Sequence, residues 1–301
     1  MKSYEGILLC SDFDDTIAVG GKVSKENIEA VNYFKSRGGK FTIISGRNYE
    51  SFGLLRSQME FNAPFGGLNG SLITDLQSGE VLRRIPVRKY HVSKALDVYK
   101  VHPEMKMDSI FVENGALQLS REEGKLRARF YNYIPTGHDL ADEVWLDSVE
   151  ELESRIEYDA DGNEILITGN SAIDDYLRQD IYKSVIHTPR DMTSPENVTA
   201  LRSYLLSLYG DEADVFRSWP YGVEIQNINA TKGTAIEFLK EYTCAEKSVA
   251  IGNYENDISM IKAADVGVAV GNCFDECIKA ADIVTVPCEE HSVADLIYNY
   301  L

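Results

Sequence analysis

Ile7-Leu8-Leu9-Cys10-Ser11-Asp12-Phe13-Asp14-Asp15-Thr16 decides the fold. A short apolar run of this kind, closed by polar residues, reads as a buried strand. Its aspartates fall where the strand ends. In open α/β sheets, ligands gather at the carboxyl ends of strands. Residues two apart in an extended segment project to the same side, so Asp12 and Asp14 can address one substrate. The plainer alternative is a hydrophilic turn with helix-capping aspartates.

Working outward, the first third alternates strand and helix signals. Ser24 caps a helix that carries Ile28, Val31 and Phe34 on one face, and Gly38-Gly39 ends it. Lys40–Ile44 is a second strand, followed by Ser45-Gly46-Arg47 and a further helix toward Met59. Phe65–Leu82 alternates apolar pairs with turn residues, as in a strand and hairpin. The last third repeats the alternation. Helices are expected at Lys232–Tyr242, Glu255–Ala263, Glu276–Ala281 and Val293–Tyr300. Strands are expected at Ser248–Ile251, Val266–Val270 and Ile283–Val286. Strands separated by single helices imply a Rossmann-like, doubly wound parallel sheet, an α/β core.

The middle has another texture. Helical stretches near Val92–Lys100, Ser148–Tyr158, Ser171–Tyr182 and Ser194–Tyr209 mix with strand-like pieces at Asp108–Glu113, Glu164–Thr168, Val185–His187 and Gly222–Gln226. This predicts an α+β insert at 86–227, between core segments 1–85 and 228–301. The Asn-Gly pairs at 69–70 and 114–115 read as hairpin turns.

Length and composition bound the function. The 301 residues exceed one ordinary core, with 44% hydrophobic and 26% charged residues as in globular proteins. The net charge of −18 disfavours nucleic acid or an anionic membrane as partner. It leaves room for a small phosphate ester, because distant surface charge is screened beyond about 10 Å. No run approaches the ~20 apolar residues of a membrane span. The N-terminus lacks the pattern of a secretory signal, and five cysteines suggest reduced thiols, so a cytoplasmic location is expected. Phosphate-loop, dinucleotide-binding, zinc-protease and nucleophile-elbow motifs do not occur.

Three further segments sit at strand ends or helix starts. Ser45-Gly46-Arg47 offers a hydroxyl and backbone N–H groups to phosphate oxygens. Ala230-Thr231-Lys232-Gly233 opens a helix with an ammonium. Gly252-Asn253-Tyr254-Glu255-Asn256-Asp257 supplies oxygen ligands suited to Mg²⁺. Each has a bland reading as a turn, a cap or a solvated lysine.

Together, in this order, the four segments resemble the haloacid-dehalogenase-like superfamily, specifically its Cof-type phosphatases with an α/β cap. The resemblance extends through Ala264–Asn272 and Lys279–Thr285 and covers nearly the whole chain. It implies that Asp12 attacks phosphorus and that Asp14 serves as acid and then base. It further implies that Ser45, the Gly46 amide, Lys232, the Phe13 amide and Asn256 hold phosphoryl oxygens. Mg²⁺ would bind Asp12, the Asp14 carbonyl and Asn253, with Asp257 or Glu255 compensating in part. The substrate implied is a small phosphorylated metabolite such as a sugar phosphate, and the insert would serve as a hinged lid turning near Arg84–Arg88 and Asn227–Ala230.

Two positions depart from the family pattern. Asp15 stands where Gly is usual, a minor change at a tolerant position. Asn253 stands where an aspartate usually binds the metal, removing one negative charge from a hard-cation site. That departure keeps two rivals in view beside hydrolysis: a phosphotransferase or mutase on the same scaffold, and a non-catalytic binding or regulatory protein.

Overall fold

The computed structural model describes residues 2–48, 57–89, 91–92, 98, 107–122, 125–134, 137–160, 164–167, 169, 171–187, 194–217 and 219–301. Along the chain, the first elements are β1 (Ile7–Ser11), the small pair β2 (Ala18–Val19) and β3 (Lys22–Val23), α1 (Lys25–Ser36) and β4 (Lys40–Ile43). Next come β5 (Phe65–Gly67), β6 (Leu72–Thr74) and β7 (Val81–Arg84). The middle holds β8 (Met107–Val112), β9 (Gly115–Glu122), β10 (Lys125–Ile134), β11 (Gly137–Leu146), α2 (Val149–Glu153), β12 (Ile156–Tyr158) and β13 (Glu164–Ile167). It continues with α3 (Ala172–Leu177), β14 (Lys183–His187), α4 (Pro195–Tyr209), β15 (Ala213–Phe216) and β16 (Gly222–Asn227). The chain ends with α5 (Lys232–Tyr242), β17 (Lys247–Gly252), α6 (Ile258–Ala263), β18 (Val266–Ala269), α7 (Asp275–Ala280), β19 (Ile283–Val284) and α8 (Ser292–Asp295).

By contacts the chain divides into two compact units, Met1–Arg84 with Asn229–Leu301, and Ile85–Ile228. The first is built on a five-stranded parallel sheet in the order β19-β18-β17-β1-β4. Its central strands are buried on both faces, which is why they read as continuous apolar runs. β1 lies between strands reached by opposite windings: the chain moves to β4 on one side and to β17, β18 and β19 on the other. That order makes the carboxyl end of β1 a switch point. The register fixes what meets there, since Ser11 pairs with both Ile43 and Ile251. Asp12, Ser45 and Asn253 therefore emerge at one edge.

Local signals explain the helices that carry the edge residues. Ser24 caps α1 by accepting from the Asn27 amide. Thr231 and Thr234 cap α5 reciprocally, which sets Lys232 at its first position. Gly233 lets α5 approach α6 closely; a Cβ there would lie 2.7 Å from the Ser259 carbonyl oxygen.

The second unit is an α+β layer around a seven-stranded antiparallel sheet, ordered β11-β10-β9-β8-β14-β16-β15. One face carries Ile110, Leu117, Leu119, Leu126, Ala128, Phe130, Ile186, Val223 and Ile225 into an apolar core with α3 and α4. The α/β core with an inserted α+β domain is thus borne out. Glu113-Asn114 turns the β8–β9 hairpin, one residue earlier than the expected Asn114-Gly115, and Leu68–Gly70 joins β5 to β6.

Several element boundaries differ from expectation. Ser148–Tyr158 is not one helix: α2 stops at Glu153, and Ile156–Tyr158 leaves to pair with Glu164–Ile167. Strand pairing overrides helix propensity there. α3 ends at Leu177, freeing Ile181 to bridge Val87 and the Tyr182 amide to donate to the Phe111 carbonyl. The final helix is α-helical only over Ser292–Asp295 and widens to a π turn over Leu296–Tyr300. β9, β10, β11 and β15 had no counterpart in the sequence reading. The helices expected after Arg47 and at Val92–Lys100 fall largely outside the described residues.

Candidate active site

The edge at β1 holds a buried ionic cluster. Lys232 Nζ lies 2.6 Å from Asp12 Oδ1 and 2.6 Å from Asp257 Oδ1. Asp12, Lys232 and Asp257 are 6%, 1% and 0% exposed, so water screens these charges poorly. Burial and the Asp257 carboxylate raise the Asp12 pKa, to about 7, against the pull of Lys232. Burial works to lower the Lys232 pKa, yet the two carboxylates outweigh it and the net shift is upward. These directions compete over one bond. An ammonium gripped at 2.6 Å from both sides stays charged, and the short contacts favour Asp12 as its anionic partner.

Asp257 does more than hold the lysine. Its Oδ2 accepts the Asn253 and Tyr254 amides at 2.9 and 3.0 Å, folding the loop after β17 back on itself. Gly252 permits this, because a Cβ there would lie 2.5 Å from the Asp257 Cβ. Asp257, expected as a metal ligand, has both oxygens engaged by protein donors, the amine and two amides.

The other oxygen of Asp12 faces Thr16 Oγ1 at 3.4 Å, and Thr16 Oγ1 lies 3.1 Å from Asn253 Oδ1. The Asn253 amide is better satisfied in one orientation than in the other. With oxygen inward it faces only oxygen acceptors. Turned, its NH₂ donates to Thr16 Oγ1, Asp12 Oδ2 and Asp257 Oδ2 at 3.1, 3.3 and 3.2 Å. Oxygen atoms crowding one spot suit a hard cation between them, so the donor chemistry fits Mg²⁺. Among the described residues, no three His, Cys, Asp or Glu side chains gather at metal-binding spacing.

Asp14 is paired with Arg47, while its charge adds to the upward shift at Asp12. Its carboxylate receives a two-pronged bond from Arg47, Nε to Oδ2 and Nη2 to Oδ1, each 2.8 Å. The guanidinium also stacks over Phe13, 5.4 Å from the ring centroid. The Phe13 side chain belongs to the core.

Ser45 is buried, and its Oγ accepts the Arg47 amide at 3.2 Å. Asn69 ties it to Asn256: the Asn69 amide donates to the Ser45 carbonyl, and Asn256 Nδ2 donates to Asn69 Oδ1 at 3.0 Å. Gly46 is half-buried beside them. Asp12, Lys232, Asp257, Asn253 and Thr16 thus form one cluster; Ser45, Asn69 and Asn256 form a second chain of bonds; Asp14 pairs with Arg47.

Thr16, Arg47 and Asn69 were missing from the residues singled out for roles. Thr16 and Arg47 lay inside quoted motifs. Asn69, a turn residue by its Asn-Gly pair, holds a left-handed φ of 56°.

The family model for haloacid dehalogenase-like hydrolases matches residues 9–297. A 5-amino-6-(5-phospho-D-ribitylamino)uracil phosphatase of Bacillus subtilis is 26% identical over 97% of both chains. A pyridoxal phosphate phosphatase of Escherichia coli is 24% identical over 98% of both. Among solved structures, a haloacid dehalogenase-like hydrolase from Bacteroides thetaiotaomicron superposes with a TM-score of 0.68 at 22% identity, covering 99% of this chain and 100% of that one. The chain belongs to the haloacid dehalogenase-like hydrolase family. Within it, the chain is a phosphatase of the Cof type.

Proposed function

We propose that the chain hydrolyses the phosphate ester of a small metabolite, a sugar phosphate or similar compound, through an aspartyl phosphate at Asp12. The observation that carries this reading is Lys232 Nζ set 2.6 Å from both Asp12 and Asp257 at the carboxyl end of β1. A nucleophile held by a fully buried amine is aligned in advance, and phosphoryl transfer gains mainly from alignment and charge neutralisation.

Asp12 attacks phosphorus as the ester oxygen departs, and Asp14 gives that oxygen its proton. Asp14 then takes a proton from water, which attacks the same phosphorus and releases Asp12 and inorganic phosphate. Ser45 Oγ, the Gly46 and Phe13 amides, Lys232 and Asn256 hold the phosphoryl oxygens. Asp12, the Asp14 carbonyl and Asn253 would hold Mg²⁺, whose charge lets a carboxylate approach an anionic phosphate. Asp257 serves as the residue that positions Lys232 and the Asn253 loop, a narrower role than metal ligand. Arg47 steadies Asp14 between turnovers.

The names of the two relatives support a small organic phosphate as substrate. The test is an aryl phosphate assay with Mg²⁺, followed by a panel of phosphorylated metabolites. Asp12→Asn should lower kcat by at least ~10³-fold with the fold intact, and wild-type protein should yield a borohydride-trappable acyl phosphate. Full activity in Asp12→Asn would reject the mechanism. Phosphate appearing on an added alcohol in preference to water would favour the phosphotransferase reading.

A further inference from the structure

Leu68, Asn69 and Gly70 hold φ values of 48°, 56° and 98°, a run of left-handed backbone between β5 and β6. That region is costly for residues other than glycine, with asparagine among the best tolerated. Such a run persists only where its surroundings over-determine it. Here three segments do so, and each contains a residue proposed above to hold the phosphoryl group.

The first is Ser45-Gly46-Arg47. The Asn69 amide donates to the Ser45 carbonyl and the Leu68 amide to the Arg47 carbonyl, each at 2.8 Å. The second is the start of α5. Gly70 lies so near that a Cβ on it would stand 2.6 Å from the Thr231 carbonyl oxygen, one residue before Lys232. The third is the loop after β17, where Asn256 Nδ2 donates to Asn69 Oδ1 at 3.0 Å. Ser259 Oγ donates to the Asn256 carbonyl at 3.4 Å and accepts the Gly233 amide at 3.1 Å, which closes the circuit back to α5. Asn69 is 1% exposed, so bulk water competes little for its side chain.

We propose that Asn69 is a positioning residue for phosphoryl transfer: its side chain orients the Asn256 amide, while its backbone sets Ser45. The proposal rests on the phosphoryl-binding roles given above to Ser45, Asn256 and Lys232. A primary amide carries two N–H bonds and one oxygen. With one N–H committed to Asn69 Oδ1, the Asn256 amide is fixed in rotation and keeps a second N–H for an anion. An amide left to rotate can turn its oxygen toward the phosphate, which repels it. Asn69 does not touch the substrate in this scheme; it acts through Asn256 and Ser45. Alignment of this kind matters, because displacing a binding group by about 1 Å can cost ~10²-fold in rate. Glycine would hold the turn more cheaply, so the acceptor on the side chain is what asparagine adds.

Asn69→Gly removes that acceptor and keeps the turn, because glycine adopts a φ of 56° freely. We expect Tm to stay within a few degrees of wild type, while kcat/KM for an aryl phosphate with Mg²⁺ falls about tenfold. Asn256→Ala should lose a similar factor, and adding Asn69→Gly to it should cost less than about twofold more. A merely structural Asn69 would give losses that multiply. Inorganic phosphate, titrated by calorimetry with Mg²⁺ present, should bind about tenfold more weakly to Asn69→Gly than to wild type. That arm separates the two claims. A wild type that binds phosphate but hydrolyses no ester rejects the proposed function, and the phosphate affinities still judge Asn69. Failure of wild type to bind phosphate overturns the inference. So does an Asn69→Gly protein that unfolds, that matches wild type in both measurements, or whose loss is undiminished in the Asn256→Ala background.

Discussion

Each of the two units buries a lysine against a carboxylate, and the two pairs differ in purpose. In the first unit Lys232 bridges Asp12 and Asp257 at a strand end, where motif residues from distant parts of the chain converge. In the insert Lys183 and Glu224 lie 3.2 Å apart, both 4% exposed, on neighbouring antiparallel strands, with Lys183 Nζ 5.0 Å from the Phe111 ring centroid. Both took charge out of water, which alone is costly. In the function proposed above, the first pair returns that cost as a prepared nucleophile. For the second, the structure gives a fixed register between β14 and β16. Burial of an ion pair therefore does not mark a reaction centre; its place in the topology does.

The largest expected effect separates these two. Lys232→Met should cost about 3–5 kcal/mol by stranding two buried carboxylates, and should lower kcat/KM by at least ~10³-fold. Lys183→Met should cost a similar amount of stability, seen in urea unfolding. Pairing it with Glu224→Leu should recover most of that loss, since apolar replacement of a whole buried pair is often neutral. No partner substitution should restore turnover to Lys232→Met. Equal rescue in both units would erase the distinction.

Asn253→Asp tests the centre itself at smaller cost. Restoring a carboxylate should tighten Mg²⁺ about tenfold, or roughly 1.4 kcal/mol, in a direct titration. Equal or weaker binding by the variant would contradict it. Smaller again is Asp15→Gly. Asp15 holds φ at 54°, the left-handed region that glycine occupies freely, and its pKa is raised by burial and by Asp14 and Glu289. Relieving strain and repulsion should raise stability by less than about 1 kcal/mol, a rise of a few degrees in Tm.

The mildest contrast is in pH. Burial lowers the pKa of His91, against Glu212, and of His187, both in the insert, from the usual 6.5. The unfolded insert then binds protons first as pH falls, so its stability drops as pH goes below about 6.5 and is flat above. In the first unit the hydrogen bond from Lys240 holds Asp265 down to about 2, from 3.8, so its contribution is lost only between those values. Amide exchange at pH 5 and 7.5 should show the insert weakening on acidification through these groups, while the Asp265 contacts persist.

The same comparison explains what could be read from the chain alone. The parallel strands announced themselves because burial on both faces leaves unbroken apolar runs, and the motifs mark their ends. Lys232 was legible through the helix start at Thr231. The insert was harder. β10 alternates Leu126, Ala128 and Phe130 inward with Arg127, Arg129 and Tyr131 on the other face, a period of two that the sequence does contain. Charged and aromatic residues on that second face masked it. Arg127 and Arg129 meet Glu122 and Glu143, so the charges are cross-strand partners. At the site, the roles of Thr16, Arg47 and Asn69 depend on contacts that no local pattern encodes. Asp257 has the right type for a metal ligand, and only the geometry reveals its bonds to the amine and two amides.

The register between β1 and β17 has a consequence for how the molecule comes into being. Asp12 and Lys232 are 220 positions apart, and the strand that seats Asn253 is made later still. During synthesis the insert can assemble its apolar interior as soon as its own residues are available, whereas β1 waits with one edge bare. Asp12 is therefore made well before the residues that come to surround it, so a nascent chain carries no assembled cluster until the sheet has closed around it.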